Sequence, residues 1–418
     1  MRDTSHRNRA LVPTGHEASS YTCLRSLHRR GVGTVIASEK AGVPAAASRF
    51  CDESVSLPSP REGLLDYRDA LLELAARDDV VTAIPVRPED CYVFSRFADA
   101  FSERLSLVVP TMEQLRTVHD RLLLAEAAEA AGVPVPETRP LADVDDWDED
   151  LLIKSRYNVL ADAYLDDLGP DDMDVVKSVQ HVVHGRPPDP EAVRETMHHD
   201  PIVQEYVRSD DEFMFTALYD RGEPLATFQH RQIRGDSYTG GGGVYRRSVY
   251  DEELERVGRT LLDHLEWHGL ACIEYMRDAD TGEYVLTEIN PRMWQSLPST
   301  VQAGADFPYY YWLAATGRPD LIENSYRLGV GTHMLRGEVG YLASVLTESS
   351  PYVERPSALG TAADIVRSVL REPRFDYFAL DDPGPFLAGM RNVFAGETKS
   401  LRQKYGRGFD ARSAVPYR

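Results

Sequence analysis

No apolar run in this 418-residue sequence reaches the roughly 18 residues a membrane-spanning helix needs, so no membrane partner is expected. Cysteine is sparse. Cys23, Cys51, Cys91 and Cys272 are scattered and form no CxxC pair, which excludes a zinc framework and a disulfide scaffold. The opening MRDTSHRNRALVP lacks an apolar core, so no secretory signal is predicted and reduced thiols in a cytoplasmic protein are expected. Positive charge is short: the formal net charge is −21, the wrong sign for a nucleic-acid partner. Lysine is rarest, since all but five of the 46 lysines and arginines are arginine.

That acidic, lysine-poor composition resembles proteins of salt-loving organisms, whose carboxylates keep the chain hydrated. It also makes each lysine informative, and Lys154, inside the apolar LLIKS, is not generic surface. Glycine fingerprints are missing too. No GxGxxG follows the first apolar strand, which argues against a dehydrogenase, and the run Gly240–Gly243 is not followed by Gly-Lys-Ser/Thr, so it is no P-loop. No Ser-His-Asp or Cys-His grouping and no internal repeat is found; His230 reads as structural.

What is present suffices for real cores: 42% hydrophobic residues, with 21 Tyr and 13 Phe. The length predicts two or three domains. The first third alternates strand and helix (RALVPT, EASSYTCLRSLHRRG, GTVIAS, CDESVSLPSP, YRDALLELAAR, VVTAIPV), the rhythm of a parallel α/β sheet. One helix is predicted from Thr111, with Gln114 as capping-box partner, to Gly132. After the acidic ADVDDWDED come strand LLIKS, strand DVVKSVQHVV, helix PEAVRETMHH and strand PIVQEYV. A hairpin is predicted around Arg221-Gly222, then a helix over DEELERVGRTLLDHLEWHG. Strands ACIEYMR and YVLTEIN follow, joined by DADTGE. Helices are predicted over MLRGEVGYLASVLT and GTAADIVRSVLR, and the basic tail from Gly396 reads as loose.

The chemistry concentrates in VLTEINPRMW. Alternate strand residues share a face, so Glu288 and Asn290 point together, with Arg292 following if the strand persists past Pro291. Glu274 is the one charged residue in LACIEYM and can lie beside Glu288 across the hairpin. Two carboxylates and an amide oxygen are a hard-oxygen set suited to Mg²⁺ or Mn²⁺, whose charge offsets the repulsion between the acids.

GLACIEYMRDADTGEYVLTEINPR resembles the metal-binding hairpin of the ATP-grasp superfamily of ATP-dependent ligases. The resemblance implies magnesium on Glu274, Glu288 and Asn290, and Arg292 on the acyl substrate or the transferred phosphate. Glu274 departs modestly, the family often having Asp there. LLIKS is similar to the family's lid strand, which puts Lys154 on the nucleotide phosphates. VQEYVRSDDEF is similar to the adenine hinge, with the backbone around Glu205, Tyr206 and Val207 on the base and Glu212, or Asp211, on the ribose. Asp120-Arg121 stands where the family often has Asp-Lys, so Arg121 is a candidate phosphate contact. Arg231 and Arg234 are candidates to clamp a carboxylate and its acyl phosphate, with the Gly240–Gly243 backbone close to a ligand. The stretch after Lys154, SRYNVLADAYLDDLG, lacks the family's glycines, leaving Ser155, Arg156 and Asn158 as candidates to cover phosphate.

The expected architecture is α/β and α+β. A Rossmann-like pre-ATP-grasp domain occupies 8–109, an ATP-grasp domain 110–330 with its lid at about 150–208, and a helical extension 331–418. The expected function is joining a small-molecule carboxylate to an amine, with ATP and Mg²⁺. The alternatives are a bicarbonate-using carboxylase or carbamoyl-forming enzyme, and an ATP-binding regulator without turnover. A homodimer is also in keeping with the family.

Overall fold

The computed structural model describes residues 8–394 except 177, 183, 351 and 352; the predicted loose tail lies outside them. Among these residues no helix is long and apolar enough to cross a membrane. The N-terminal unit contains β1 (Arg9–Pro13), α1 (Ala18–Arg29), β2 (Gly33–Ser38), β3 (Glu53–Ser56), α2 (Leu64–Ala75), β4 (Val80–Ala83), α3 (Pro88–Arg96) and α4 (Ala98–Ser102). The strands form a parallel sheet ordered β3-β2-β1-β4, as the alternating rhythm predicted. β2 is buried throughout, because helices cover both faces of such a sheet. Beyond the carboxyl ends of β2 and β4, Arg87 pairs with Glu39 (2.9 Å) and Asp90 (3.1 Å), and donates to the Tyr67 hydroxyl (3.0 Å).

The helix predicted over 111–132 is two: α5 (Met112–His119) and α6 (Arg121–Ala131). The capping box forms, Gln114 N donating to Thr111 Oγ1 at 3.2 Å and Thr111 N to Gln114 Oε1 at 3.0 Å. The break falls at Asp120, which is extended (φ −96°, ψ 111°) and caps α6 by accepting from Leu122 N at 3.0 Å. An Asp at an N-cap satisfies an amide that an unbroken helix would not leave free, and Arg156 holds its other oxygen at 2.7 Å.

The stretch expected as the lid, about 150–208, shares its sheet with a strand that precedes it. Its antiparallel sheet is ordered β5-β10-β6-β9, from β5 (Thr138–Pro140), β6 (Leu151–Lys154), β9 (Val179–Val182) and β10 (Ile202–Glu205), with α7 (Pro190–Met197). The strand predicted over DVVKSVQHVV is β8 (Met173–Asp174) and β9, the former paired with β7 (Leu160–Ala161). Between β6 and β9 the chain packs down: Tyr157, Val159, Leu160 and Tyr164 are buried in one core with Leu71, Tyr92 and Phe94 of the N-terminal unit. Tyr92 donates to Asp162 (2.8 Å), and Leu65 N to Asp171 (2.8 Å).

The platform is a six-stranded sheet ordered β15-β14-β11-β12-β13-β16. Its strands are β11 (Ser209–Asp220), β12 (Glu223–Arg234), β13 (Tyr245–Val249), β14 (Gly269–Asp278), β15 (Tyr284–Asn290) and β16 (Gly331–His333). The hairpin forms where predicted, with Arg221 (φ 50°) and Gly222 (φ 86°) both left-handed, the geometry whose twist matches antiparallel strands. α8 (Glu252–His264) lies on one face, burying Leu254, Val257 and Leu261 against Phe215, Ile273 and Tyr275. It approaches so closely that a Cβ at Gly258 would lie 2.4 Å from Phe215 Cδ1. Gly258→Ala is therefore expected to lower stability by about 1–3 kcal/mol despite its better helix propensity, measured by urea denaturation.

The other face carries α9 (Leu297–Ala303) and α10 (Phe307–Ala315), absent from the sequence reading. α10 is buried on almost every residue, so it has no amphipathic period to betray it. The C-terminal extension is not purely helical. It opens with β16, which pairs with β13 and completes the platform. The buried Arg246–Asp376 pair (2.8 Å) fastens the extension further. α11 (Leu335–Thr347) and α12 (Ala358–Arg371) form as predicted. α13 (Gly384–Phe394) packs against the N-terminal unit at the turn Pro44–Ala47.

Candidate functional site

β14 and β15 place Glu274 directly opposite Glu288, and Asn290 two residues further along the same face. The Asn290 amide nitrogen donates to Glu288 Oε1 (2.6 Å) and Glu274 Oε1 (3.2 Å), while Oδ1 accepts from Arg292 Nη2 (3.0 Å). Arg292 also donates to the carbonyls of Met293 (3.1 Å) and Val86 (3.5 Å), so it bridges the platform and the loop after β4.

Two acids at one cross-strand position repel unless cations balance them. Here the cations come from outside the platform. Arg121, the first residue of α6, donates to Glu288 Oε2 (3.0 Å) and to the carbonyl of Ser155 (2.8 Å). Lys154, half-buried at the end of β6, joins them. Desolvation, then Arg121, pushes its pKa down to about 8, against the opposing pull of Glu288 and Glu274. The fold thus collects Lys154, Arg121, Glu274, Glu288 and Asn290 from four separate elements, with Arg292 from the turn after β15.

Glu212 lies on the same platform face, since it pairs with Gln232 and Met276 while Met214 pairs with Glu274. Gln232 Nε2 donates to Glu212 (2.6 Å) and to the Gly241 carbonyl (3.0 Å), which brings the glycine loop beside it. A Cβ at Gly243 would fall 2.6 Å from Gln232 Oε1, so a larger residue there would have to push the Gln232 amide aside. Burial, then Asp236, raises the Glu212 pKa to about 7. Glu205, Tyr206 and Val207 link β10 to β11. The Glu205 and Tyr206 amides donate to the carbonyls of Glu137 (3.0 Å) and Asp150 (3.2 Å), whereas the Val207 amide donates to no backbone acceptor among the described residues.

Several expected residues are elsewhere. Arg231 pairs in register with Phe213, so it points to the opposite face from the acids, where it is exposed and ion-paired with Asp211. Arg231→Ala is accordingly expected to leave ATP turnover within about twofold in a steady-state ADP-release assay, as exposed pairs contribute little. Arg234 is held by Glu338 at 2.5 Å and lies over the rings of Tyr245 and Tyr341, so its charge is directed to α11. Ser155, Arg156 and Asn158 are engaged within the protein. Ser155 is buried and donates to the Tyr157 carbonyl (2.8 Å), and Arg156 makes a two-point ion pair with Asp120. Asn158 is buried with its amide on the His119 carbonyl (2.9 Å). His230 is structural as expected, bonded to Ser296 at 2.7 Å, its pKa pushed down to about 3 by burial, then by Arg246. The sequence reading missed the Arg87–Glu39–Asp90–Tyr67 network; its only signal was VRPED directly after an apolar strand.

No group of three or more His, Cys, Asp or Glu suited to a metal occurs among the described residues. The convergent set is two carboxylates and one amide. It fits a hard cation: the acids converge on one amide, and turning that amide over would exchange its nitrogen for a third oxygen.

No protein-family model matches the sequence, and no curated protein matches it. Solved structures do resemble it. The ADP complex of purK, an N5-carboxyaminoimidazole ribonucleotide synthetase, is 15% identical over 88% of this chain and 98% of that one, with a TM-score of 0.58. The biotin carboxylase domain of Hydrogenobacter thermophilus 2-oxoglutarate carboxylase, with MgADP, ADP and bicarbonate, is 14% identical over 77% and 73%, with a TM-score of 0.56. An L-amino acid ligase from Bacillus licheniformis is 15% identical over 78% and 79%, with a TM-score of 0.53. What these structures share with the chain is architecture: this protein has the ATP-grasp fold.

Proposed function

We propose that this protein is an ATP-dependent ligase that activates a small-molecule carboxylate as an acyl phosphate and joins it to an amine, releasing ADP and phosphate. The observation that carries the reading is the facing of Glu274, Glu288 and Asn290 on the platform by Lys154 and Arg121. Glu274, Glu288 and Asn290 would hold Mg²⁺, or Mn²⁺, which supplies positive charge against the phosphate oxygens.

Lys154 and Arg121 would meet the phosphates from the lid side. The chain at Glu205, Tyr206 and Val207, with the Val207 amide that meets no backbone acceptor among the described residues, would take the adenine, and Glu212 the ribose hydroxyls. Arg292, which reaches from the platform to the Val86 carbonyl after β4, would hold the substrate carboxylate beside the γ-phosphate. The carboxylate oxygen would attack phosphorus as ADP leaves, and the amine would then displace phosphate from the acyl carbon. Bicarbonate as the acid is the second reading, favoured by the likeness to a biotin carboxylase domain solved with bicarbonate.

The test is ADP release with Mg²⁺ across a panel of carboxylates, bicarbonate and amines. Release that needs both an acid and an amine supports ligation, and release with bicarbonate alone favours the second reading. Tight ATP binding without ADP under every pairing would overturn both.

The Glu212 assignment gives a pH dependence. A pKa raised to about 7 means that the folded chain binds a proton there more readily than the unfolded chain. The burial penalty is absent below the ordinary glutamate range of about 4.3 and fully present above 7, so stability falls across that window. Ribose hydroxyls donate to the carboxylate form. ADP affinity is therefore expected to rise about fivefold from pH 6 to pH 8 by calorimetry, and to lose that rise in Glu212→Gln, where the Lys154 ammonium, its pKa about 8, leaves only a small fall toward pH 8.

A further inference from the structure

Glu288 is gripped on both oxygens by donors from the protein itself. Oε1 accepts from the Asn290 amide (2.6 Å) and Oε2 from Arg121 Nη2 (3.0 Å). The same Asn290 nitrogen reaches Glu274 Oε1 (3.2 Å). Arg121 is also anchored away from the acids. Its backbone amide donates to the Arg156 carbonyl (2.9 Å) and its Nη1 to the Ser155 carbonyl (2.8 Å), so the guanidinium is fixed between the end of β6 and β15. The pair is shielded, with 11% of the Arg121 side chain and 16% of the Glu288 side chain exposed. Exposed pairs contribute little, whereas a charge-assisted bond drawn out of water is among the stronger contacts in a fold.

A divalent cation on Glu274, Glu288 and Asn290 needs oxygens turned toward it and no rival positive charge on the same carboxylate. Arg121 is such a rival, at 3.0 Å from Glu288. A guanidinium also bonds phosphate through the same planar fork that it offers a carboxylate. Phosphate oxygens arriving at the site would therefore give Arg121 another acceptor, and its charge would leave Glu288 as theirs came in. On the reading proposed above, we infer that Arg121 is a tethered stand-in for the metal's charge on Glu288, which turns a divalent cation away until nucleotide draws the guanidinium off. Metal and nucleotide then load together, and a metal ion alone is refused. That refusal matters in a chain of net charge −21, whose field gathers divalent cations around it.

The probe is Mn²⁺, titrated into the full chain and followed by electron paramagnetic resonance of the unbound ion. High salt suppresses loose binding to the acidic surface, and the binding lost in Glu288→Gln reports the site. In wild type, Mn²⁺ is expected to bind there weakly by itself and about tenfold or more tightly with ADP. Arg121→Met is expected to bind Mn²⁺ alone about tenfold more tightly than wild type, with a smaller gain from ADP. Lys154, the other cation facing the two acids, is the same in both proteins, so the change belongs to Arg121. Arg121→Gln, polar but uncharged, is expected to shift the same way and carries the test if the methionine variant does not fold. A purely structural pair predicts a lower melting temperature with Mn²⁺ affinity unmoved. If ADP strengthens Mn²⁺ binding in wild type but neither variant binds the ion alone more tightly, the inference is overturned and the ligase reading stands. If ADP strengthens Mn²⁺ binding in no form of the protein, the ligase reading falls and takes the inference with it.

Discussion

Glu288→Gln is expected to lower ATP turnover by about a thousandfold or more, measured as ADP release under saturating Mg²⁺. The substitution keeps the volume and one oxygen of the side chain. It removes the charge that Glu288 presents to Arg121 at 3.0 Å and one of the two carboxylates that Asn290 ties together. A purely structural role for Glu288 predicts something else: a lower melting temperature, with ADP release falling only as the folded fraction falls. A binding readout separates the two. In wild type, Mg²⁺ is expected to strengthen ADP binding, and in Glu288→Gln that strengthening is expected to vanish while metal-free ADP binding persists. Turnover at the wild-type rate in a folded Glu288→Gln protein would sink the proposed chemistry.

Lys154→Met is expected to weaken ATP binding by about a hundredfold, close to 3 kcal/mol for a buried charge-assisted phosphate contact, while leaving the fold as stable as before or more so. The two effects have opposite signs for one reason. Desolvation and Arg121 hold the Lys154 pKa at about 8, so the folded chain disfavours the ammonium relative to water even after the pull of Glu288 and Glu274. At neutral pH the ammonium is still present in both states, so the cost is incurred on folding. A methionine keeps the apolar stem against Leu152 and Ile153 without that cost, but offers nothing to a phosphate. Calorimetric affinity and thermal melting on the same samples give the pair of numbers. A variant that loses stability and affinity together would make Lys154 a packing residue.

The hairpin of the candidate site was legible because its determinants are local. Period-two alternation put Glu288 and Asn290 on one face, a short turn made the strands neighbours, and the rarity of lysine singled out Lys154. Arg231 shows where local reasoning stops. Counting back from the turn at Arg221-Gly222, an unbroken ladder pairs Glu212 with Arg231 and brings the arginine to the acid face. A register shift between Leu218 and Tyr219 puts Gln232 there instead and turns Arg231 over. One extra residue reverses every side chain beyond it, and nothing in TALYDRGEPLATF announces it. The stretch after Lys154 was illegible for a longer-range reason. Its tyrosines find their partners in helices some sixty to ninety residues earlier, so its polar letters suggested a loop while its aromatic ones built a core.

That stretch is stitched down at both ends, to Asp120 and His119 near Lys154 and to the backbone of Leu64 and Leu65 at Asp171. A flap free to swing on its own would let spent nucleotide slip out beneath it. This one travels only with the bodies it is sewn to. Under the proposed function, release would have to move the sheet β5-β10-β6-β9 against this stretch or together with the elements it is tied to.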